Sequence, residues 1–274
     1  KGVNSFITFC ALSEAKGMNI IMIKMIITDL DNTLLRSDKS ISEYTISTLM
    51  KYQDKGIKIG FATARSKQSS SRFLNQFTPD VFIGYGGAVS FAGEEVISRF
   101  DIPADISSQL INKCLQEPDI LYVHATNESV AYTNRVDTSD ADLSHYKYVD
   151  FTLNDNISYL KISIVTSNPH VVERIASNFP MLDLLRYTGE NLYRFANRNA
   201  VKWKAVKAVA EYYNINTDMV VAFGDDINDL EMIKNCGVGV AVENGIEEVK
   251  SVAKFICDIS DNDGVAKWLE ECVL

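Results

Sequence analysis

An α/β protein with a parallel-sheet core, interrupted by an inserted α+β domain, is the fold class that the sequence predicts. Two observations predict it. At both ends of the chain short apolar runs alternate with helical spacings, and such alternation builds parallel strands joined by right-handed crossovers. Between residues 88 and 188 the alternation gives way to hairpin-like patterning, the texture of a second unit. The expected division is a core of residues 21–87 and 189–274 and an insert of residues 88–188.

Residues 1–20 read as a leader or expression remnant. Their run at 6–12 is a weak imitation of a signal-peptide core, and Met18, Met22 and Met25 are each plausible natural starts. Residues 21–28 form a continuous Ile- and Met-rich run, as a strand covered on both faces should, and end in the polar turn Asp29-Leu30-Asp31-Asn32-Thr33. Ser42 then opens a helix with Ile46, Leu49, Met50 and Gln53 at three- and four-residue spacing, and Gly56 closes it. A second strand at 57–62, a helix at 66–77 and a third strand at 81–83 lead to Gly84-Tyr85-Gly86-Gly87.

Within the insert, hairpin-like alternation occurs at 121–124 and 130–134, followed by a polar segment at 137–144, a strand at 159–165 and a helix at 170–178. The strand–helix rhythm is expected to resume near Tyr193. Residues 202–213 form an amphipathic helix with Trp203, Val206, Ala210 and Tyr213 on one face, and 219–223 a buried strand that ends in Gly224-Asp225-Asp226-Ile227-Asn228-Asp229. Short elements follow at 238–242, 254–257 and 265–272.

Composition narrows the function classes. Among 274 residues, 27 Lys and Arg oppose 36 Asp and Glu for a net charge of −9, without a basic run, which argues against a nucleic-acid partner. No stretch approaches the roughly 20 apolar residues of a membrane span, which predicts a soluble protein without a membrane partner. The five cysteines are odd in number and far apart, as expected of free buried thiols in a reducing, cytoplasmic compartment. The three histidines make no zinc-ligand spacing with them.

Chemistry concentrates where strands end. In open parallel sheets ligands sit at the carboxyl ends of the strands, so the polar turns should converge. Asp29 and Asp31, two apart, should send both carboxylates to one side of the sheet edge, and Asp225, Asp226 and Asp229 would join them. Up to five carboxylates in one crevice need a hard divalent cation or a cationic side chain among them, and magnesium fits oxygen ligands better than zinc. Taken singly, Thr63 reads as a helix cap, Arg65 as a solvated charge and Lys202 as a surface lysine.

Together, Asp29-Leu30-Asp31-Asn32-Thr33, Phe61-Ala62-Thr63-Ala64-Arg65, Lys202 and Gly224-Asp225-Asp226-Ile227-Asn228-Asp229 resemble, in order, the motifs of the haloacid dehalogenase superfamily. Val238-Gly239-Val240-Ala241-Val242-Glu243-Asn244 and Asp263-Gly264-Val265-Ala266 are similar to the downstream pattern of its Cof-type phosphatases of sugar phosphates and cofactors. The resemblance spans residues 23–272. It implies a Rossmann-like core with a type IIB cap, and a Mg²⁺-dependent phosphatase of small phosphorylated metabolites, sugar phosphates foremost.

It also implies roles. Asp29 would be the nucleophile that becomes an aspartyl phosphate, and Asp31 the acid and then the base. Mg²⁺ would bind the Asp29 carboxylate, the Asp31 carbonyl and Asp225. Thr63 and the backbone at Ala64 and Leu30 would hold phosphate oxygens, with Asn228 donating from the far side. Lys202 would neutralise Asp29 and the phosphoryl group, and Asp229 would orient Lys202 or a metal-bound water, while Asp226 has no assigned role. The family commonly has Gly where Ala64 stands, Asn-Gly-Ala where Gly86-Gly87-Ala88 stands and Gly where Trp203 stands, which leaves Lys204 as a second candidate lysine. A phosphomutase and a catalytically silent phosphometabolite sensor are the competing readings.

Spacing bears on the cap independently. Between Thr63 and Lys202 the chain has roughly a hundred residues more than one helix and strand need, while between Asp31 and Thr63 only one helix and its strand fit. The cap therefore follows Thr63. Tyr122, His124 and Tyr132 are candidates for reading the substrate, as polar aromatics on cap strands.

Overall fold

The computed structural model describes residues 22–136, 146–151, 157–187 and 191–273. The leader reading of residues 1–20, Cys10, His145 and the polar segment 137–144 lie outside the described residues. In chain order the elements are β1 (Met25–Thr28), α1 (Glu43–Asp54), β2 (Lys58–Ala62), α2 (Ser71–Leu74), β3 (Val81–Gly84), β4 (Val89–Ala92) and β5 (Glu95–Arg99). Next come α3 (Ala104–Leu115), β6 (Tyr122–Thr126), β7 (Ala131–Thr133), β8 (Tyr146–Tyr148), β9 (Lys161–Val165), α4 (Pro169–Ala176), β10 (Leu182–Arg186) and β11 (Leu192–Asn197). The chain closes with α5 (Lys202–Tyr212), β12 (Val220–Gly224), α6 (Leu230–Asn235), β13 (Val238–Val242), α7 (Glu247–Val252), β14 (Phe255–Cys257) and α8 (Gly264–Cys272).

Two compact units result, dividing between Ser98 and Arg99 and again between Ala200 and Val201. The first unit holds an eight-stranded sheet in the order β14-β13-β12-β1-β2-β3-β4-β5, parallel from β14 to β3. Its central strands β1 and β12 are buried at every residue, which is why they read as unbroken apolar runs rather than alternations. Met25, Ile27, Val220 and Ala222 pack on one face against Val206, Val209 and Ala210 of α5 and Met232 and Ile233 of α6.

The second unit holds a six-stranded sheet, β10-β11-β9-β6-β7-β8, antiparallel except between β7 and β8. Val123, Ala125, Ile162, Ile164 and Phe195 form its apolar face with Leu110, Ile111 and Cys114 of α3 and Val171, Val172 and Ile175 of α4.

The unit edges differ from residues 88 and 188. Positive φ angles at Gly86 and Gly87 turn the chain back at once, without a crossover helix, so β4 pairs antiparallel with β3 and extends the first sheet beyond residue 88. Tyr193 lies in β11, paired with β9 and β10 in the second sheet, and the strand–helix rhythm restarts at Lys202 instead. The helix expected at 66–77 shrinks to α2. There the Ser66 and Ser69 hydroxyls each accept a backbone N–H of the other serine and hold a turn in place of the first helical turns. Helix α3 has Ile106, Leu110, Ile111 and Cys114 at helical spacing, yet it opens on Pro103 without a capping side chain.

Helix α1 is capped by Ser42, whose Oγ accepts from Thr45 N at 3.0 Å. The Tyr52 hydroxyl donates to the carbonyls of Leu269 and Val273, both at 2.7 Å, and ties α1 to α8. Asp263 ties the start of α8 to the same region, accepting Arg36 Nη2 at 2.6 Å, Ser42 Oγ at 2.8 Å and Thr45 Oγ1 at 3.2 Å. Cys114, Cys236 and Cys257 are buried without a disulfide, and burial pushes their thiols up to about 12.

Partial burial alone would raise the Asp263 carboxyl, but hydrogen bonds from Arg36 and Ser42 hold it below the ordinary 3.8. A carboxyl depressed in the folded state contributes stability above its unfolded pKa and loses it as the pH falls. Asp263→Asn keeps the left-handed backbone (φ 58) accessible while removing the charge. Urea denaturation at neutral pH should show a loss of about 2 kcal/mol. The gap to the unsubstituted protein should narrow as the pH is taken below 3.8.

Candidate active site

Neighbouring parallel strands β1 and β12 end at the same level, in register from Met25 opposite Val220 to Thr28 opposite Phe223. Asp29 directly follows β1, its N–H donating to the Phe223 carbonyl at 3.0 Å, and Asp225 directly follows β12. Each carboxylate is therefore placed by a rigid buried strand.

Two glycines let further groups close in. A Cβ on Gly224 would stand 2.4 Å from the Cβ of Asp229, so only glycine allows Asp229 to fold back beneath the end of β12. Asp229 Oδ2 there accepts the backbone N–H groups of Asp225 and Asp226 at 3.1 and 3.3 Å. At Gly87 (φ 99) a Cβ would stand 2.4 Å from the carbonyl carbon of Val201, so the Gly86-Gly87 turn packs directly on the start of α5. Lys202, the first residue of that helix, is 3% exposed and donates to Asp29 Oδ1 at 2.6 Å and Asp229 Oδ1 at 2.7 Å. Lys204 is exposed, and the geometry separates the two lysines.

Asp29, Asp225 and Asp229 bring carboxylate oxygens within 4.8 Å of one another, all buried. Burial opposes the charge of Lys202, but Asp229 and Asp29 outweigh it and raise its pKa, so it stays an ammonium. One ammonium cannot balance three carboxylates. Burial, with the neighbouring Asp229 and Asp225 charges, leaves Asp29 well above its usual range, and burial with Asp229 pushes Asp225 up to about 7. Asp229 spends both oxygens on hydrogen bonds. Among the described residues Asp29 and Asp225 are each bound at Oδ1 alone, by Lys202 and by the Thr33 hydroxyl at 2.7 Å. The donor set and the two unbalanced charges fit a hard divalent cation, held by Asp29 and Asp225.

The remaining expected residues divide. Asp31 does not join the carboxylate cluster, nor does Asp226, so the five carboxylates expected in one crevice are three. Between Asp29 and the helix α1 approach, the loop Leu30–Leu34 is extended at Asp31 and left-handed at Asn32 (φ 57). Asp31 is held there by Arg65, whose Nε and Nη2 donate to its two oxygens at 2.7 Å each, and by Lys39 Nζ at 3.2 Å. Although partial burial works to raise it, these cations keep the Asp31 carboxyl below its usual range. Asp226 Oδ1 accepts the Ile227 N–H at 2.7 Å and caps the turn that carries Asn228 and Asp229.

Thr63 is buried at the end of β2, with its hydroxyl accepting the Arg65 N–H at 3.1 Å; Leu30 is buried, and Ala64 and Asn228 are half-buried. Arg65 is thus no solvated charge. Its guanidinium, 5.4 Å from the centre of the buried Phe73 ring of α2, pairs with both Asp31 oxygens. The signal for it was its place two residues after the strand-ending Thr63.

Replacing Lys202 by Met removes the only cation in contact with the buried carboxylates Asp29 and Asp229 among the described residues. Breaking a buried ion pair in this way costs about 3–5 kcal/mol, so the variant should unfold at markedly lower urea concentration. A loss below 1 kcal/mol would mean that the pair contributes no more than a surface one.

The model of the haloacid dehalogenase-like hydrolase family matches residues 26–269. The chain is 27% identical over 265 residues to the 5-amino-6-(5-phospho-D-ribitylamino)uracil phosphatase YitU of Bacillus subtilis, covering 90% of this chain and 96% of that protein. It is 26% identical over 260 residues to the phosphoglycolate phosphatase of Methanopyrus kandleri, covering 91% and 97%. Among solved structures, a phosphatase of the superfamily from Bacteroides thetaiotaomicron superposes with a TM-score of 0.78 at 26% identity, covering 91% of this chain and 94% of its own. With strand-end carboxylates around one buried lysine and a family match over nearly its whole length, the chain belongs to the haloacid dehalogenase-like hydrolases, among their Cof-type phosphatases.

Proposed function

We propose that the protein is a Mg²⁺-dependent phosphatase of small phosphorylated metabolites, sugar phosphates foremost, that works through an aspartyl phosphate on Asp29. The observation that carries this reading is the buried Asp29 carboxylate held by Lys202 beside Asp225. A nucleophile pinned at the end of a central strand meets the main demand of phosphoryl transfer, which is positioning with charge stabilisation. The relatives named for phosphorylated ribityl and glycolate substrates support a small-metabolite ester. Cys114, Cys236 and Cys257, buried outside any disulfide, support a reducing cytoplasmic setting.

In this mechanism an Asp29 oxygen attacks phosphorus, the bond to the alcohol oxygen breaks, and Asp31 delivers a proton to that oxygen. Asp31, now ionised, takes a proton from water as the water attacks the acyl phosphate, which releases inorganic phosphate and restores Asp29. Lys202 holds Asp29 in place and offsets negative charge on the transferring group, while Asp229 fixes the ammonium. Thr63, Asn228 and the backbone N–H groups at Leu30 and Ala64 would hold phosphate oxygens. Mg²⁺, held by Asp29 and Asp225 with the Asp31 carbonyl, would supply charge neutralisation for the phosphoryl dianion. Arg65 and Lys39 favour the ionised Asp31 that the second step needs, so its acid role requires this grip to loosen when substrate binds.

Asp29→Asn should lower turnover of p-nitrophenyl phosphate by at least about 10³-fold, because an amide cannot act as the nucleophile. Its circular dichroism should stay unchanged. Excess EDTA should abolish the activity of the unsubstituted protein and Mg²⁺ should restore it; turnover that survives both treatments would remove the proposed mechanism.

Arg65→Ala should move the acid limb of the kcat–pH profile upward, since the main influence keeping the Asp31 carboxyl low is then lost. An unmoved limb would take the base role away from Asp31.

A further inference from the structure

Residues 243–246, the loop that follows β13, have no part in the mechanism above, yet they touch both loops that carry the carboxylates. In the first unit's sheet β13 neighbours β12 and is separated by it from β1. Ile246 N–H donates to the Asp225 carbonyl at 2.8 Å, beyond the end of β12. Asn244 reaches one strand further, and its Nδ2 donates at 2.7 Å to the carbonyl of Asn32, in the loop after β1. A Cβ on Gly245 would stand 3.0 Å from the Asp225 carbonyl oxygen, so this loop packs directly on its neighbour.

Both ends of the Asn244 amide are engaged. Its Oδ1 accepts the Ser260 N–H at 2.9 Å, at the start of the turn Ser260–Asn262. Asp261 of that turn accepts the Ser37 N–H at 2.7 Å, so the turn is itself tied to the chain beyond the Asp31 loop. The partners fix which way the amide points, since the reverse would set oxygen against oxygen.

Asn32 directly follows Asp31 and is the left-handed residue at which the loop turns (φ 57). Other bonds tie the loop elsewhere: Asp29 N–H to the Phe223 carbonyl, Leu35 N–H to the Leu30 carbonyl at 2.7 Å, and the Thr33 hydroxyl to Asp225. These hold Asp29, Leu30 and Thr33, whereas Asn244 holds the turning residue itself. Arg65 and Lys39 grip the Asp31 carboxylate in this structure. Once that grip loosens for the acid step, the backbone decides where the carboxyl stands.

We infer that Asn244 is a positioning residue for the acid step, its amide fixing Asn32 against the Ser260 turn and so keeping the Asp31 carboxyl aimed at the leaving oxygen. The inference rests on the phosphatase reading and on the role of Asp31 in it. As Asp29 bonds to phosphorus and the ester bond breaks, the electron pair goes to the leaving oxygen, which takes the Asp31 proton. Asn244 acts through Asn32 and Asp31 and exchanges no proton. A misplacement of about 1 Å costs up to about 10²-fold, within the range that a general acid contributes.

Leaving groups separate the aiming of an acid from a simple loss of folded protein. p-Nitrophenolate departs without a proton, whereas phenolate, from an ester with the same ring, is far more basic and needs one. Because kcat/KM covers only the steps through release of the alcohol, water activation in the second step does not enter. In full-length Asn244→Ala with saturating Mg²⁺, kcat/KM for phenyl phosphate should fall at least about tenfold, and for p-nitrophenyl phosphate less than about twofold. Asn244→Asp keeps an oxygen for the Ser260 N–H but sets a carboxylate oxygen against the Asn32 carbonyl, so it should show the same selective loss. Asp31→Asn should show a larger one, and Glu243→Ala, at the exposed preceding residue, none.

Equal losses on both esters in the Asn244 variants would make the residue merely structural and overturn the inference. An unchanged ester ratio in Asn244→Asp would overturn it as well, since the Ser260 contact would then suffice. In either case a selective loss in Asp31→Asn leaves the phosphatase reading standing. If Asp31→Asn slows both esters alike, the acid role falls and the inference falls with it.

Discussion

Three buried carboxylates that share one ammonium form a site that cannot be electrically complete by itself, and the architecture of the first unit follows from holding it together. Taking like charges out of water is tolerated only where the surrounding groups are fixed and oppositely charged. Rigid central strands deliver Asp29 and Asp225, and a helix that begins at Lys202 brings the ammonium. Asp229 binds that ammonium with one oxygen and backbone N–H groups with the other, so it anchors the site and has no oxygen left over. The deficit of positive charge falls on Asp29 and Asp225, the two positions a divalent cation would occupy.

Close backbone approach makes this arrangement possible. Gly224 admits Asp229 under the end of β12, and Gly87 admits the start of α5 against the turn after β3. Either position, given a side chain, would push apart groups whose spacing sets the electrostatics. The left-handed Asn32 turns the loop after Asp31, and Asn244 Nδ2, just beyond β13, donates to its carbonyl at 2.7 Å.

Asp29 and Asp31 are two residues apart yet live in different environments. Asp29 is buried against Lys202 and its carboxylate neighbours, while Asp31 is partly exposed and gripped by Arg65 and Lys39. Separating the proton affinities of paired carboxylates in this way is how one site can divide nucleophilic from acid–base work. In the second unit the sheet is similarly two-sided. One face is an apolar core with its helices, and the other aligns Thr133, His124, Ser163 and Arg194 in a single register row.

Much of the first unit was legible in the sequence, because a buried parallel strand must be an apolar run and a ligand turn must follow it. The runs before Asp29, Thr63 and Asp225 satisfied both conditions, and the Ser42 cap and Gly56 bounded α1. The unit edges were not legible, since β4 returns as a hairpin strand and β11 differs from a core strand only in its partners. Register and pairing decided the rest. No local pattern says that Arg65 grips Asp31, that Asp226 caps a turn while Asp229 folds back, that Tyr132 packs on the apolar face with the helices, or that His124, Ser163 and Arg194 align. The sequence by itself determined which groups stand at strand ends, because local hydrophobicity and turn chemistry act over a few residues. Only the tertiary structure decided which charges meet, because charge pairing depends on distances of a few ångströms between residues that lie far apart in the chain.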